Sequence, residues 1–144
     1  MKCNRLIIQN LKKNSEWCDK SDALLYACFQ LLVDFLEKER PEKIVDYKTN
    51  QEQRKEWREL QTLYRYWKID RPKSSRDADK SLMKSGIKMV FAPAERPGAS
   101  SGRIDFTFKD KREYNKSCRL DDKRDHLDEV MLQRLINIRH YLWC

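Results

Sequence analysis

The side chains able to do chemistry are few. Two histidines, His126 and His140, stand fourteen residues apart near the end of the chain. At about 100° per residue that spacing puts them on one side of a helix. Zinc takes three or four ligands. Cys118, His126, His140 and Cys144 could supply four, but their spacing follows no established zinc pattern. Carboxylates crowd at Asp121, Asp122, Asp125, Asp128 and Glu129, and Asp105 precedes them on a stretch with strand character. A metal-dependent nuclease needs two or three convergent carboxylates with a lysine. Asp105, Asp121, Asp122 and Lys123 are the remote candidates for that chemistry. Acidic residues that open a helix have a plainer reason, because they oppose the positive end of its dipole.

Other chemistries lack their residues. Gly86, Gly98 and Gly102 form no phosphate-cradling loop. There is no G-x-S-x-G elbow and no H-E-x-x-H pair. No cofactor is implied, no catalytic set is assigned, and the sequence leans towards a binding protein rather than an enzyme.

Basic residues are the more informative group. The chain of 144 residues carries 31 Lys and Arg against 23 Asp and Glu, a net charge of +8. Such a balance attracts phosphate and acidic surfaces when the charges cluster. They cluster between residues 50 and 76. On a straight helical projection Arg54, Arg58, Gln61, Arg65 and Lys68 fall within about 80° of one another. Glu52, Glu56 and Glu59 fall on the opposite flank of an aromatic stripe, and Arg71, Lys73 and Arg76 extend the basic run. Arg54 and Arg58 form a like-charge i,i+4 pair, which costs a few tenths of a kcal/mol. Arg54, Arg58, Gln61, Arg65, Lys68, Arg71, Lys73 and Arg76 are therefore the candidate partner- or phosphate-binding residues. Three readings stay open: a solvated or internally paired face, a protein partner, or nonspecific nucleic-acid binding. No RNP sequence, zinc finger or clear helix-turn-helix supports sequence-specific reading.

The positioning elements follow from periodicity. A helix is predicted over 21–39, with Ser21 as cap, Pro41 as stop, and Leu24, Leu25, Cys28, Leu31, Leu32, Phe35 and Leu36 as its apolar arc. A second is predicted over 50–69, opened by a Thr49–Glu52 capping box and striped by Trp57, Leu60, Tyr64 and Trp67. Residues 71–86 lack apolar periodicity and read as a loop, flexible in expectation, with at most a short helical turn near 77–84. Ile87, Met89 and Phe91 alternate, as do Ile104, Phe106 and Phe108, which predicts paired strands. Their connection, 92–102, is long for a hairpin and is expected to be mobile. A last helix is predicted over 122–143, with an aromatic end that docks on the body. Trp17, Trp57, Trp67 and Trp143 read as core anchors, Trp17 being the best suited to an exposed contact.

The expected fold is thus a single helix-dominated α+β domain, 1–144. Three main helices carry one two-stranded antiparallel hairpin packed on them, since a ribbon alone is unstable. Five scattered cysteines, odd in number and without CxxC, point to reduced thiols in a cytosol. No apolar run is long enough to span a membrane.

Three segments resemble one group. Residues 26–39 (YACFQLLVDFLEKE), 63–67 (LYRYW) and 134–143 (RLINIRHYLW) look like those of small tailed-phage proteins sharing an LVDFxEKE helix, an LYxWW segment and a closing RLxxIRxYLW. The resemblance covers the three helices and little of 70–120. It implies a phage product acting in a bacterial cytoplasm or attached to a virion, and not secreted. It carries no activity, cofactor or site residue. In that setting the expectation is a non-enzymatic interaction protein that binds a host protein, a defence protein or a virion component.

Overall fold

The structure is a computed structural model that describes residues 6–9, 19–92 and 102–142. Three quarters of those residues are helical and one two-stranded antiparallel sheet accompanies them, which makes the chain a helix-dominated α+β protein. Where composition suggests one domain, the chain clusters into two compact units. The first holds residues 1–70 and 126–144, the second residues 71–125.

The first unit is built on α1 (Lys20–Asp34), α2 (Gln51–Arg65) and the final stretch of α4 (Lys111–Asn137). The cap of α1 is Asp19, whose carboxylate accepts from the Ser21 N–H at 3.1 Å, so the predicted cap residue is the donor instead. The α-helix ends at Asp34 and continues as a π turn over Phe35–Glu39. Arg40 then takes a left-handed φ of 52°, and its N–H bonds to the Phe35 carbonyl. Pro41 cannot continue the helix, so the chain must turn here even with a side chain at a position that disfavours it. At α2 the cap is Asn50, accepting from the Glu52 N–H at 2.9 Å. Thr49 donates instead to Asp46, so the expected capping box is not formed. A second π turn, Tyr66–Asp70, follows α2.

The apolar faces of these helices meet, but not along the predicted stripes alone: Phe29, Leu63 and Tyr66, assigned to neither stripe, are buried, whereas Trp57, Tyr64 and Trp67 are only half-buried. Leu25, Phe29, Leu32, Phe35, Leu60, Leu63, Tyr66 and Leu135 form one buried cluster. Phe29 stacks on Trp67 with centroids 4.5 Å apart, and Tyr26 meets the same indole edge-on at 5.0 Å. Trp57 stacks on Tyr47. Leu24 and Leu31, assigned to the buried arc of α1, are instead more than half and half exposed. Tyr66 is buried, and its hydroxyl donates to Asp128 at 2.7 Å. A buried phenol and a buried carboxylate thus satisfy each other.

The second unit overturns the loop expected at 71–86, because Arg71–Ser85 is a regular helix, α3. Its partner is the first half of α4, which starts at Lys111, well before the predicted 122. The seam between them is small and polar. Ala78, Ser81 and Ser85 of α3 and Ser117 of α4 are buried, and the Ser117 hydroxyl donates to the Ala78 carbonyl at 3.0 Å. No large apolar residue marks such a seam, so apolar periodicity does not report it. Gly86, with φ of 57°, ends α3. The Ser85 carbonyl accepts from the Lys109 and Asp110 N–H groups at 2.9 and 3.0 Å, and Asp110 caps α4 through the Arg112 N–H at 2.8 Å.

The strands are β1 (Lys88–Ala92) and β2 (Arg103–Thr107), paired as Met89 with Phe106 and Phe91 with Ile104. This puts four apolar side chains on one face, yet Met89, Phe91, Ile104 and Phe106 all stay exposed. The ribbon therefore joins its unit at the base, through Ser85, Lys109 and Asp110, and not through its apolar face. The expected mobile connection and the tryptophans Trp17 and Trp143 lie outside the described residues.

Replacing Phe29 with Ala removes a fully buried ring and is expected to cost about 3–5 kcal/mol. Ser81→Leu forces a large side chain into the α3–α4 seam and is expected to cost about 1–3 kcal/mol. Denaturant unfolding checks both, and a near-neutral Ser81→Leu would mean that the seam is not close-packed.

Candidate partner-binding site

The sequence-predicted basic residues divide between the two units. Arg54, Arg58, Gln61, Arg65 and Lys68 belong to the first, on α2 and the π turn behind it. Arg71, Lys73 and Arg76 belong to α3 in the second. A straight helical projection does not carry through to Lys68, because Tyr66–Asp70 is a π turn, which advances less per residue than an α-helix.

The acidic flank of α2 is occupied. Arg134 of α4 reaches Glu59 with its Nε and Nη2 at 2.6 and 2.7 Å, a two-pronged fork. This hydrogen-bonded carboxylate holds the guanidinium pKa above its usual value. Glu56 raises the Tyr141 phenol by hydrogen bonding to it. Both contacts tie α2 to the C-terminal segment, and both use glutamates assigned to the flank opposite Arg54.

The basic flank has no such duty. Arg54, Arg58, Gln61 and Arg65 are exposed. Arg65 lies 3.8 Å from Asp70 with both groups well solvated, a contact worth little. Lys68 is engaged more closely. Its Nζ is 3.0 Å from Glu37 and 6.0 Å from the centre of the Tyr64 ring. The Tyr64 hydroxyl donates to the same Glu37 oxygen at 2.7 Å. The hydrogen bond from Tyr64, reinforced by Lys68, lowers the Glu37 pKa, and the carboxylate in turn raises the phenol. Part of the predicted basic face is thus internally paired through the acidic end of the first helix.

Two open grooves run along this flank. One, of about 890 Å³, is lined by Leu36, Glu37, Glu42, Trp57, Arg58, Gln61, Tyr64, Arg65 and Ile69. The other, of about 730 Å³, is lined by Glu42 to Lys48 with Arg54, Trp57 and Arg58. Trp57, Arg58 and Glu42 are common to both. Periodicity shows the arginines but not the opposite wall, because residues 42–48 form no regular element there beyond a short 3-10 turn at Pro41–Lys43. Ile44 is 73% exposed and Ile69 56%, so the rim is apolar as well as charged.

The remote nuclease constellation is not assembled. Asp105 is paired with Arg103 at 2.9 Å and Asp121 with Arg124 at 2.6 Å. Among the described residues no three His, Cys, Asp or Glu side chains gather as metal ligands. His126 lies exposed on α4, whereas His140 sits in a terminal 3-10 turn against Tyr141. Among the described residues no helix is long and apolar enough to cross a membrane.

Glu37 supplies a titration test. Its folded pKa lies below its unfolded one, so its contribution to stability is present above the ordinary glutamate range and lost as pH falls through the depressed value. Tyr64→Phe removes the main cause and is expected to bring the Glu37 pKa, followed by carboxyl-carbon NMR, back up towards that range. An unchanged midpoint would show that Tyr64 does not hold this carboxylate. No protein-family model matches the chain, and no curated protein and no solved structure matches it either.

Proposed function

We propose that this chain is a non-enzymatic, phage-type interaction protein that docks a protein partner along the basic flank of α2. One observation carries the reading: the acidic flank of α2 is bound to α4, while the basic flank opens with Trp57 onto the two grooves. Arg and aromatic side chains at a cleft are the usual anchors of protein interfaces.

The composition of the grooves favours protein over nucleic acid at this site. Glu37, Glu42 and Asp46 line them beside Arg54, Arg58 and Arg65. A phosphate backbone would meet those carboxylates as like charges. A polypeptide with mixed charge and apolar anchors can satisfy both signs and also cover Ile44 and Ile69. The likeness of three helical segments to small tailed-phage proteins supplies the setting: a host enzyme, a defence complex or a virion surface as the partner. Binding there would be non-catalytic occupancy.

The discriminating variant is Arg54→Glu/Arg58→Glu, whose positions are exposed and away from the core. Wild type immobilised in nuclease-treated bacterial lysate, or mixed with virions, is expected to crosslink to a defined protein through residues of the grooves. The variant is expected to lose that crosslink while keeping its circular dichroism and unfolding midpoint. A crosslink that survives the double reversal, or maps elsewhere on the chain, overturns the assignment.

A further inference from the structure

The second unit carries more of the protein's charge than the first. Residues 71–125 hold fifteen Lys and Arg against nine Asp and Glu, a net of +6 out of the chain's +8. The helical placement of 71–85 gives those charges an order that a loop would not. At about 100° per residue, Lys73, Arg76, Lys80 and Lys84 fall within about 80° of one another on α3. On α4, Arg112, Lys116, Arg119 and Lys123 fall within about 60°. All eight are exposed, and among the described residues none of the eight side chains makes an ion pair or hydrogen bond.

The two stripes also share a side. The helices run antiparallel, with Ser85 beside Asp110 at one end, Ala78 beside Ser117, and Ser75 beside Arg124 at the other. On each helix the basic stripe lies about 120–130° from the contact residues, in the same rotational sense. For an antiparallel pair, equal rotation in the same sense brings both stripes to one side of the layer. Asp79, Asp121, Asp122 and Asp125 project to the opposite side. Asp77 and Glu113, the acidic side chains of the two helices on the basic side, are half-buried near the seam.

We infer that this α3–α4 face is a sequence-independent site for the phosphate backbone of a nucleic acid. Each stripe runs for about three turns, or about 16 Å of helix. Two parallel rows of four cations suit a regular polyanion, whose affinity comes from displacing condensed counterions. The face offers no aromatic anchor, and Met83, at the outer edge of the α3 stripe, is its one well-exposed apolar side chain among the described residues. A protein hot spot needs a cluster of such anchors. A lipid surface likewise needs an apolar face to bury, and a lone methionine is not one. This site shares no residue with the α2 grooves, and either can fail without the other.

The test is fluorescence anisotropy with labelled, arbitrary-sequence duplexes of DNA and of RNA about two helical turns long. Wild type is expected to bind at least one of them at low salt, with affinity falling steeply and log-linearly as salt rises. Lys80→Glu/Arg119→Glu, one reversal in each stripe, is expected to weaken binding by about tenfold or more and to flatten the salt slope. Arg54→Glu/Arg58→Glu is expected to bind as wild type does. If the reversal variant unfolds, Lys80→Gln/Arg119→Gln replaces it, with the same direction of effect. Absence of binding to either duplex, or equal binding by wild type and the α3–α4 variants, overturns the site. Tighter binding to phosphatidylserine vesicles than to either duplex overturns it in favour of a membrane surface.

Discussion

The fork between Arg134 and Glu59 fixes how α2 is rotated about its own axis, and most of what the first unit presents to its surroundings depends on that rotation. The helix has three faces to dispose of. Its apolar stripe goes to α1, where Leu60 and Leu63 join Phe29 and Leu32. Rolling α2 by one residue would take Glu59 away from Arg134 and point the arginine flank towards α4 instead. A two-pronged Arg–carboxylate contact resists such a roll because both hydrogen bonds have directional requirements. Its two side chains are 37% and 27% exposed, so it is better regarded as an orienting contact than as a large source of stability.

The same logic explains which parts of the molecule could be read in advance. In the first unit Leu25, Leu32, Phe35, Leu60 and Leu135 are large, apolar and helically spaced, and they lie in the core as their spacing announces, whereas Phe29, Leu63 and Tyr66, off those stripes, complete it. The alternation around Met89 and Phe106 announces the ribbon equally well, though not its register. The second unit hides its helices because α3 packs through Ala78, Ser81 and Ser85, which a hydropathy pattern cannot distinguish from loop residues. The start of α4 is hidden likewise, since its inward residue there is Ser117. The π turns are also silent in the sequence, yet they change which side of the helix Lys68 occupies. At the candidate groove the arginines were legible and the wall from Glu42 to Lys48 was not, since that wall is placed by a turn after Pro41 and has no periodicity of its own.

Charge segregation therefore appears twice, with different internal consequences. On α2 the acidic flank is partnered inside the fold and the basic flank is left over, so exposed basic charge there is partly the remainder of a packing arrangement. Lys68 shows how far internal pairing can go, with Glu37 and Tyr64 both against it or its partner. The helices of the second unit have no equivalent pairing for their basic side among the described residues. Arg124, which lies at the seam, is the residue that takes up Asp121 and Asp125, at 2.6 and 3.2 Å.

The energetic balance separates these two cases. Lys73–Arg76, Arg76–Lys80 and Lys80–Lys84 on α3 are like-charge neighbours at three or four residues, as are Arg112–Lys116, Lys116–Arg119 and Arg119–Lys123 on α4. Each such pair costs about 0.2–0.5 kcal/mol, so six cost on the order of 1–3 kcal/mol when nothing neutralises them. Domains are stable by only about 5–15 kcal/mol, which makes that a sizeable fraction. Interleaving the four aspartates of the opposite side would remove the cost and keep the solubility. Solvation alone does not account for an arrangement that places eight of the eleven basic residues of α3 and of α4 up to residue 125 on one side and the exposed acids, with Lys111, on the other. A ligand that neutralises the face returns the lost stability as binding energy, because whatever binds the folded state alone also stabilises it. The small, close seam between α3 and α4 then has a role beyond filling space: it holds two rows of repelling cations at a fixed separation.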